Sequence, residues 1–392
     1  MRLIFFSVLF LALLTSCSNK KPEAEWTILV YMAADNGLNN HAIEDIQEME
    51  SAMFSDDINV IVQIDHSASN PEPGAFRYHI YPEEKKLISS LGEIDSGDYH
   101  SLIEFANWGF NKYPSKKNAL IIWSHGNGWY PMNRDLPPCF CPDAESENYI
   151  SIPNKDFQNA LQNIDSHLDI LILDACNMQT IEVITEIYEY TDFIIAAEDA
   201  IDTKGFPYHS ILSNWESYSS VQNLAVEIAF YFHYYYWLEG FERISCSVVR
   251  TSLFQNLLND ISFFTEHWSE NASDDIFHLS RQVCLEFNEA WGVYLPADVD
   301  IKEFFLSILE YDPPDSLAEF CERIVANIEN CFIFQKTDEY PTGYTSDKVG
   351  TGIIWFPDEQ TQGYFINRLE EYNQLDFSST NWQIFLGNSF TR

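Results

Sequence analysis

Two short stretches of this 392-residue chain hold residue types that combine into one piece of chemistry. The first is Ser124-His125-Gly126-Asn127-Gly128-Trp129, and the second is Asp174-Ala175-Cys176-Asn177-Met178. A cysteine attacks as its thiolate, and a nearby imidazole both raises the thiolate population and later protonates a leaving amine. Cys176 and His125 are therefore a candidate nucleophile and its acid/base partner. Gly126 lets the backbone approach a substrate closely, so its N–H and that of Cys176 could form an oxyanion hole. Taken singly, a His-Gly turn is an ordinary loop and a core cysteine is a small hydrophobe. What joins them is that each follows an apolar strand.

Residues 119–123 run into the first stretch and residues 169–173 into the second. Catalytic groups gather at the carboxyl ends of strands in an open parallel sheet. If the two strands are neighbours joined by a helix at 154–164, a right-handed crossover brings both side chains to one edge. Further unbroken apolar runs at 26–33, 59–64, 192–197 and 244–249 imply strands buried on both faces. Helix-length stretches at 37–53, 101–111, 178–190 and 221–238 alternate with them, which gives an α/β body with a mostly parallel sheet. A helix from 178 would also set its N-terminal N–H groups near Cys176, favouring the thiolate.

Residues 75–81 alternate between flanking prolines and read as a hairpin or edge strand. The aromatic run at 230–237 falls inside a helical pattern and reads as core packing rather than a sugar-stacking platform. After about residue 251 the alternation fades into helical patterns, with late apolar segments at 292–296 and 352–357. The expected organisation is a signal peptide over 1–16, a tether over 17–25, an α/β body over 26–250 and a packed C-terminal subdomain over 251–392.

With 46% hydrophobic and 15% aromatic residues the chain can bury a large core. Its 21 basic and 60 acidic residues give a net charge of −39, which disfavours nucleic-acid partners. The apolar run at 3–14 fits a signal-peptide core and is short for a membrane span. Leu14-Thr15-Ser16-Cys17 resembles the lipobox of bacterial lipoproteins, which implies export, lipidation of Cys17 and anchoring to a bacterial membrane, at the outer membrane or cell surface.

Eight cysteines occur, and if Cys17 carries lipid the remaining seven leave at least one free thiol outside the cytoplasm. Cys176 is the candidate for it. Cys139-Phe140-Cys141 has the wrong spacing for a zinc knuckle, and no metal site or cofactor is expected from the residues. The usual motifs of zinc proteases, serine α/β-hydrolases and phosphate-loop enzymes are missing.

Residues 27–36, the His125 and Cys176 stretches, and Gly352-Ile353-Ile354-Trp355-Phe356-Pro357 resemble the clostripain family of cysteine peptidases. The spacing of His125 and Cys176 is also similar to that of caspases, where the His lies about 50 residues upstream of the nucleophile. The resemblance implies a caspase-like α/β/α sandwich, a Cys/His dyad and cleavage of protein or peptide substrates after a basic residue. In some members it also implies self-cleavage between the catalytic residues or stimulation by calcium.

The chain departs from the family where the specificity pocket is expected. It carries Glu198-Asp199-Ala200-Ile201-Asp202-Thr203-Lys204-Gly205-Phe206, with Lys204 where the resemblance implies an acid. If Lys204 points inward, basic preference weakens; if it faces solvent, Asp174, Asp199 or Asp202 supplies the carboxylate and the preference stays. Asp174 has a simpler alternative role as a helix cap. The reading from another functional class is a surface binding protein on a peptidase-like scaffold that has lost turnover.

Overall fold

The computed structural model describes residues 23–129, 140–241, 244–271, 274–287, 289–290, 293–294, 298–337, 349–357 and 362–390. Cys17, the 1–16 segment and Cys139 lie outside the described residues. The chain opens with β1 (Ala24–Ala34), α1 (Asn39–Ser51) and β2 (Ile58–His66), followed by the hairpin of β3 (Gly74–Tyr81) and β4 (Glu84–Gly92). Next come α2 (Tyr99–Lys112), β5 (Ser115–Trp123), α3 (Asp156–Gln162), β6 (Leu168–Asp174), α4 (Ile181–Ile187) and β7 (Thr191–Ala196). The body continues with α5 (Tyr208–Asn214), α6 (Val221–Glu239) and β8 (Ser245–Arg250).

Five strands, in the order β7-β6-β5-β1-β2, pair in parallel and form the centre of a nine-stranded sheet. Each is apolar on both faces because helices cover both. Leu29, Tyr31, Leu120, Ile122, Leu171 and Leu173 point into one core, shared with α2, α3, α4 and later helices. Ile28, Val30, Met32, Ile121, Ile170 and Ile172 point into the other, shared with α1, α5 and α6. This alternation along strands clad on two sides is the α/β/α sandwich.

Antiparallel strands finish the sheet at both ends. β3 pairs with β2 and also with β4, so residues 75–81 form an inner strand and β4 is the edge. Exposed and lysine-bearing, β4 carries little of the apolar signal by which strands are read, while its charges suit an unpaired edge. At the other end, Phe332–Thr337 pairs antiparallel with β8, so the sheet takes a strand from beyond residue 251.

That later part also reaches behind the His125 segment. Asp298–Asp300 and Ile353–Trp355 pair antiparallel, and Trp355 with Tyr372 encloses Trp129, with ring centroids at 5.1 and 5.0 Å. The late segment at 292–296 contributes Val293–Tyr294, which pairs with Glu289–Ala290; the rest of it is outside the described residues. Helix α6 corrects the expectation for the aromatic run. It buries Phe232, His233 and Tyr236, whereas Phe230, Tyr234 and Trp237 are exposed, because consecutive aromatics cannot all share one face of a helix. No described helix is long and apolar enough to cross a membrane.

Candidate active site

β5 and β6 are parallel neighbours in register, with Trp123 opposite Asp174, so His125 and Cys176 emerge two residues beyond the same end of the sheet. Ser124 fixes the first exit: its N–H donates to Asp174 O at 3.2 Å and its hydroxyl to Ala33 O at 2.8 Å. Gly126 lies hard against the second, since a Cβ there would sit 2.6 Å from Cys176 O and 2.8 Å from the Ala175 Cβ. No other residue fits without moving the Cys176 turn.

That turn is not the start of a helix. Asn177 adopts φ 57°, which breaks a helical path, and α4 begins only at Ile181, where Thr180 Oγ1 caps the Val183 N–H at 3.0 Å. Instead the turn is stitched to the strand end after β7: Asn177 N–H donates to Asp199 O at 3.2 Å, Asn177 Nδ2 to Glu198 O at 2.9 Å, and Gln179 N–H to Ala197 O at 2.9 Å. Helix N-terminal stabilisation of the Cys176 thiolate, expected from sequence, is therefore replaced by single backbone donors, the N–H of Cys176 itself and that of Ile201. The Ile201 N–H reaches Cys176 Sγ at 3.3 Å.

Cys176 and His125 line one cavity, together with Leu38, Trp123, Ser124, Asp174, Ala175, Ile201, Asp202, Thr203 and Gly205. Its volume is about 30 Å3, room for one or two waters, whereas sites that enclose a ligand measure roughly 300–1,000 Å3. Burial pushes the Cys176 thiol up to about 11, with Asp174 and Asp199 adding to the rise and the Ile201 N–H opposing it. Burial also lowers the pKa of His125. Both shifts favour a resting pair of neutral thiol and neutral imidazole.

Of the expected pocket residues, Asp174 and Asp202 line the cavity. Asp174 caps no helix. Its Oδ2 accepts from Phe206 N at 3.1 Å and from Tyr208 Oη at 2.8 Å, which clamps the 205–208 turn against the strand end. Burial raises its carboxyl to about 6 against those two donors. Gly205, at φ 59°, lies close enough that a Cβ would meet Asp174 Oδ2 at 2.8 Å and Asp45 Oδ2 at 3.3 Å. Asp199 is buried behind the cavity with Oδ1 accepting from Ala200 N at 2.8 Å. Lys204 faces outward: its Nζ pairs with Glu239 at 2.7 Å and lies over the rings of Tyr235 and Phe241.

Sequence reasoning missed Asp45, Tyr208 and Ile201. Asp45 sits on the buried side of α1, bonded to Trp123 Nε1 at 2.6 Å, and burial with the nearby Asp174 raises it to about 9. A lone acid in an amphipathic helix looks like part of a wet face, and only the fold turns it toward Asp174. The six described cysteines, Cys141, Cys176, Cys246, Cys284, Cys321 and Cys331, are all buried and unbridged.

The clostripain family, Peptidase C11, matches residues 30–385. Clostripain of Hathewaya histolytica is 26% identical over 251 residues, which is 53% of this chain and 45% of that protein, so the chain spans less than half the length of that relative. A secreted C11 cysteine protease from Bacteroides thetaiotaomicron in complex with an irreversible peptide inhibitor superposes with a TM-score of 0.69 at 22% identity, over 92% of this chain and 99% of that one. An inactive zymogen C11 protease from Parabacteroides distasonis gives 0.70 at 20% identity, over 91% and 98%. These likenesses fix the caspase-like sandwich, and with a family match running through nearly all of the body and the C-terminal part, the chain belongs to the clostripain family.

Proposed function

We propose that the chain is a cysteine endopeptidase that uses Cys176 as nucleophile and His125 as acid/base, and that it prefers a basic residue before the cleaved bond. The observation that carries this reading is the cavity at the ends of β5 and β6, which Cys176, His125, Asp174 and Asp202 all line. His125 takes the thiol proton as Sγ attacks the carbonyl carbon, and the oxyanion forms against the N–H groups of Gly126 and Cys176. The imidazolium then protonates the leaving amine. Water hydrolyses the resulting thioester, with His125 accepting the water proton and returning it to sulfur.

A lysine or arginine side chain of the substrate supplies a cation for Asp174 and Asp202, the two acids that line the cavity. The outward pairing of Lys204 with Glu239 leaves that role open to the substrate. The small cavity and the Ile201 contact on Cys176 mean that segment 199–205 has to move before a side chain of that size enters. The same closed cavity favours the silent binding protein as the second reading. A thiol-directed peptidyl probe ending in Arg separates them: labelling at Cys176, located by peptide mass spectrometry and abolished in His125→Ala, supports the peptidase, and an unlabelled intact protein supports the binder. The lipobox-like Leu14-Thr15-Ser16-Cys17 supports export and anchoring through Cys17 as part of the same proposal.

A further inference from the structure

We propose that Glu198 and Asp300 are positioning residues for the wall of the catalytic cavity: their buried carboxyls share one proton, and the bond between them ties the segment covering Cys176 to the chain beyond residue 251. Glu198 stands just before the 199–205 segment, whose Ile201 lies against the Cys176 sulfur. Asp300 ends the strand Asp298–Asp300 and caps the helix Ile301–Glu310. Both are fully buried, and neither lines the cavity itself.

The two carboxyls face one another, and the charges that Glu198 feels are those of Asp300 and Asp199, both negative. The other titratable groups facing the pair are the thiols of Cys246, beside Glu198, and Cys284, beside Asp300. Among the described residues no Lys, Arg or His pairs with either acid. Asp300 is well supplied with donors: Oδ1 accepts from Glu303 N–H at 2.9 Å, and Oδ2 from Thr351 N–H at 2.9 Å and its hydroxyl at 2.8 Å. Neither Glu198 oxygen accepts from an N–H or hydroxyl group.

Two carboxylates in one buried site do not both ionise. A proton on Asp300 would displace donors already in place, and Glu198 would be left as a buried anion without one. On Glu198 the proton turns an unsatisfied acceptor into a donor to the Asp300 carboxylate, which is a charge-assisted hydrogen bond. Burial and the facing Asp300 hold the Glu198 carboxyl well above the usual carboxylate range, in keeping with that placement.

The backbone around Glu198 shows what the bond holds. Glu198 O accepts from Asn177 Nδ2 at 2.9 Å, one residue after Cys176, and the N–H groups of Glu198 and Asp199 both donate to Ser245 Oγ at 3.2 Å. Behind them, Thr351 O accepts from the Ser247 hydroxyl, which itself accepts from Gln179 Nε2 at 2.6 Å. The Cys176 turn, the root of the covering segment and the Asp300 region thus form one bonded network. Removing the Glu198 donor leaves the Asp300 carboxylate facing no proton and frees one side of that root, so Ile201 is expected to leave the sulfur more often.

The test is iodoacetamide alkylation of the full chain at pH 8, read cysteine by cysteine by peptide mass spectrometry, in wild type, Glu198→Ala, Glu198→Gln and Asp300→Ala. A buried thiol reacts in proportion to the time its cover is open. Glu198→Ala and Asp300→Ala are expected to speed modification of Cys176 about tenfold, while Cys141, Cys321 and Cys331, buried elsewhere, stay as slow as in wild type. Glu198→Gln, whose amide still donates to Asp300, is expected to remain within about threefold of wild type. Because Asp300→Ala also strips a helix cap, the two Glu198 variants decide. An unchanged Cys176 rate in Glu198→Ala, equal acceleration at all four cysteines, or a Glu198→Gln rate matching that of Glu198→Ala overturns the proposal. The inference takes the role of the cavity from the peptidase reading, but the readout is thiol access, so an absence of hydrolysis would refute that reading without altering these rates.

Discussion

The backbone of Ile201 brackets the sulfur of Cys176, with its N–H donating to Sγ at 3.3 Å and its carbonyl oxygen 3.7 Å away. The sulfur is thereby held as a thiol: the oxygen accepts the S–H, and burial opposes ionisation. Alkylation of Cys176 by iodoacetamide in the unliganded protein is therefore expected to rise with pH beyond 9, toward the midpoint near 11 set by burial. Ile201→Gly, which loosens the covering segment, is expected to speed alkylation about tenfold at pH 8. A rate already level between pH 6 and 8 would mean a preformed thiolate and imidazolium pair.

Specificity is expected to follow Asp174 and not Lys204. Asp174→Asn keeps an acceptor for Phe206 N and Tyr208 Oη but removes the charge, and preference for Arg over Ala in kcat/KM is expected to fall about a hundredfold. Lys204→Asp breaks only a surface pair with Glu239, so the same ratio is expected to stay within about twofold and stability within about 0.5 kcal/mol. Matched peptides ending in Arg, Ala and Asp give the comparison. A large gain in Arg preference from Lys204→Asp would place that lysine in the pocket.

Gly126→Ala is expected to lose activity at least tenfold and to destabilise by about 1–3 kcal/mol, because its Cβ collides with Cys176 O and the Ala175 Cβ. Peptide hydrolysis and denaturant unfolding measure the two losses. Unchanged activity would show that the Cys176 turn accommodates a Cβ at this position and would contradict the close approach of Gly126.

Buried acids set the pH dependence of stability. Asp45 is raised to about 9 and Glu182 to about 8, both by burial, while the unfolded chain ionises them near pH 4. Between those limits the folded state binds more protons than the unfolded state, so stability falls as pH rises, by up to about 1.4 kcal/mol per pH unit for each group. Melting temperature is expected to increase from pH 8 to pH 5.5. Asp45→Asn, which can still accept from Trp123 Nε1, is expected to flatten that slope and to be no less stable than wild type at pH 8. A wild type that loses stability on acidification across this window would contradict the assignment.

The central sheet and the strand ends that carry His125 and Cys176 were legible because parallel strands buried on both faces are apolar nearly throughout, a pattern that residues 119–123 and 170–173 display. β4 was illegible because an edge strand suppresses that pattern, and its exposed lysines read as loop. The late start of α4 was missed for a local reason: asparagine adopts a left-handed backbone more readily than most residues, but its type alone does not say that Asn177 does so, and the hydrogen bonds to Glu198 and Asp199 that hold it there come from another strand end. Asp45, Tyr208 and Ile201 reach the site from segments far from either motif. Their roles exist only as contacts, such as that of Tyr208 with Asp174 across 34 residues.

The most direct test of the account is hydrolysis of an Arg-ending peptide by wild type, Cys176→Ala, His125→Ala and the double variant, each with its fold verified by circular dichroism. The predicted result is measurable turnover in wild type and a loss of at least about a thousandfold in each single variant, with the double variant little worse, because the two groups act as one unit. Substantial turnover by folded Cys176→Ala would contradict the account and move the nucleophile elsewhere.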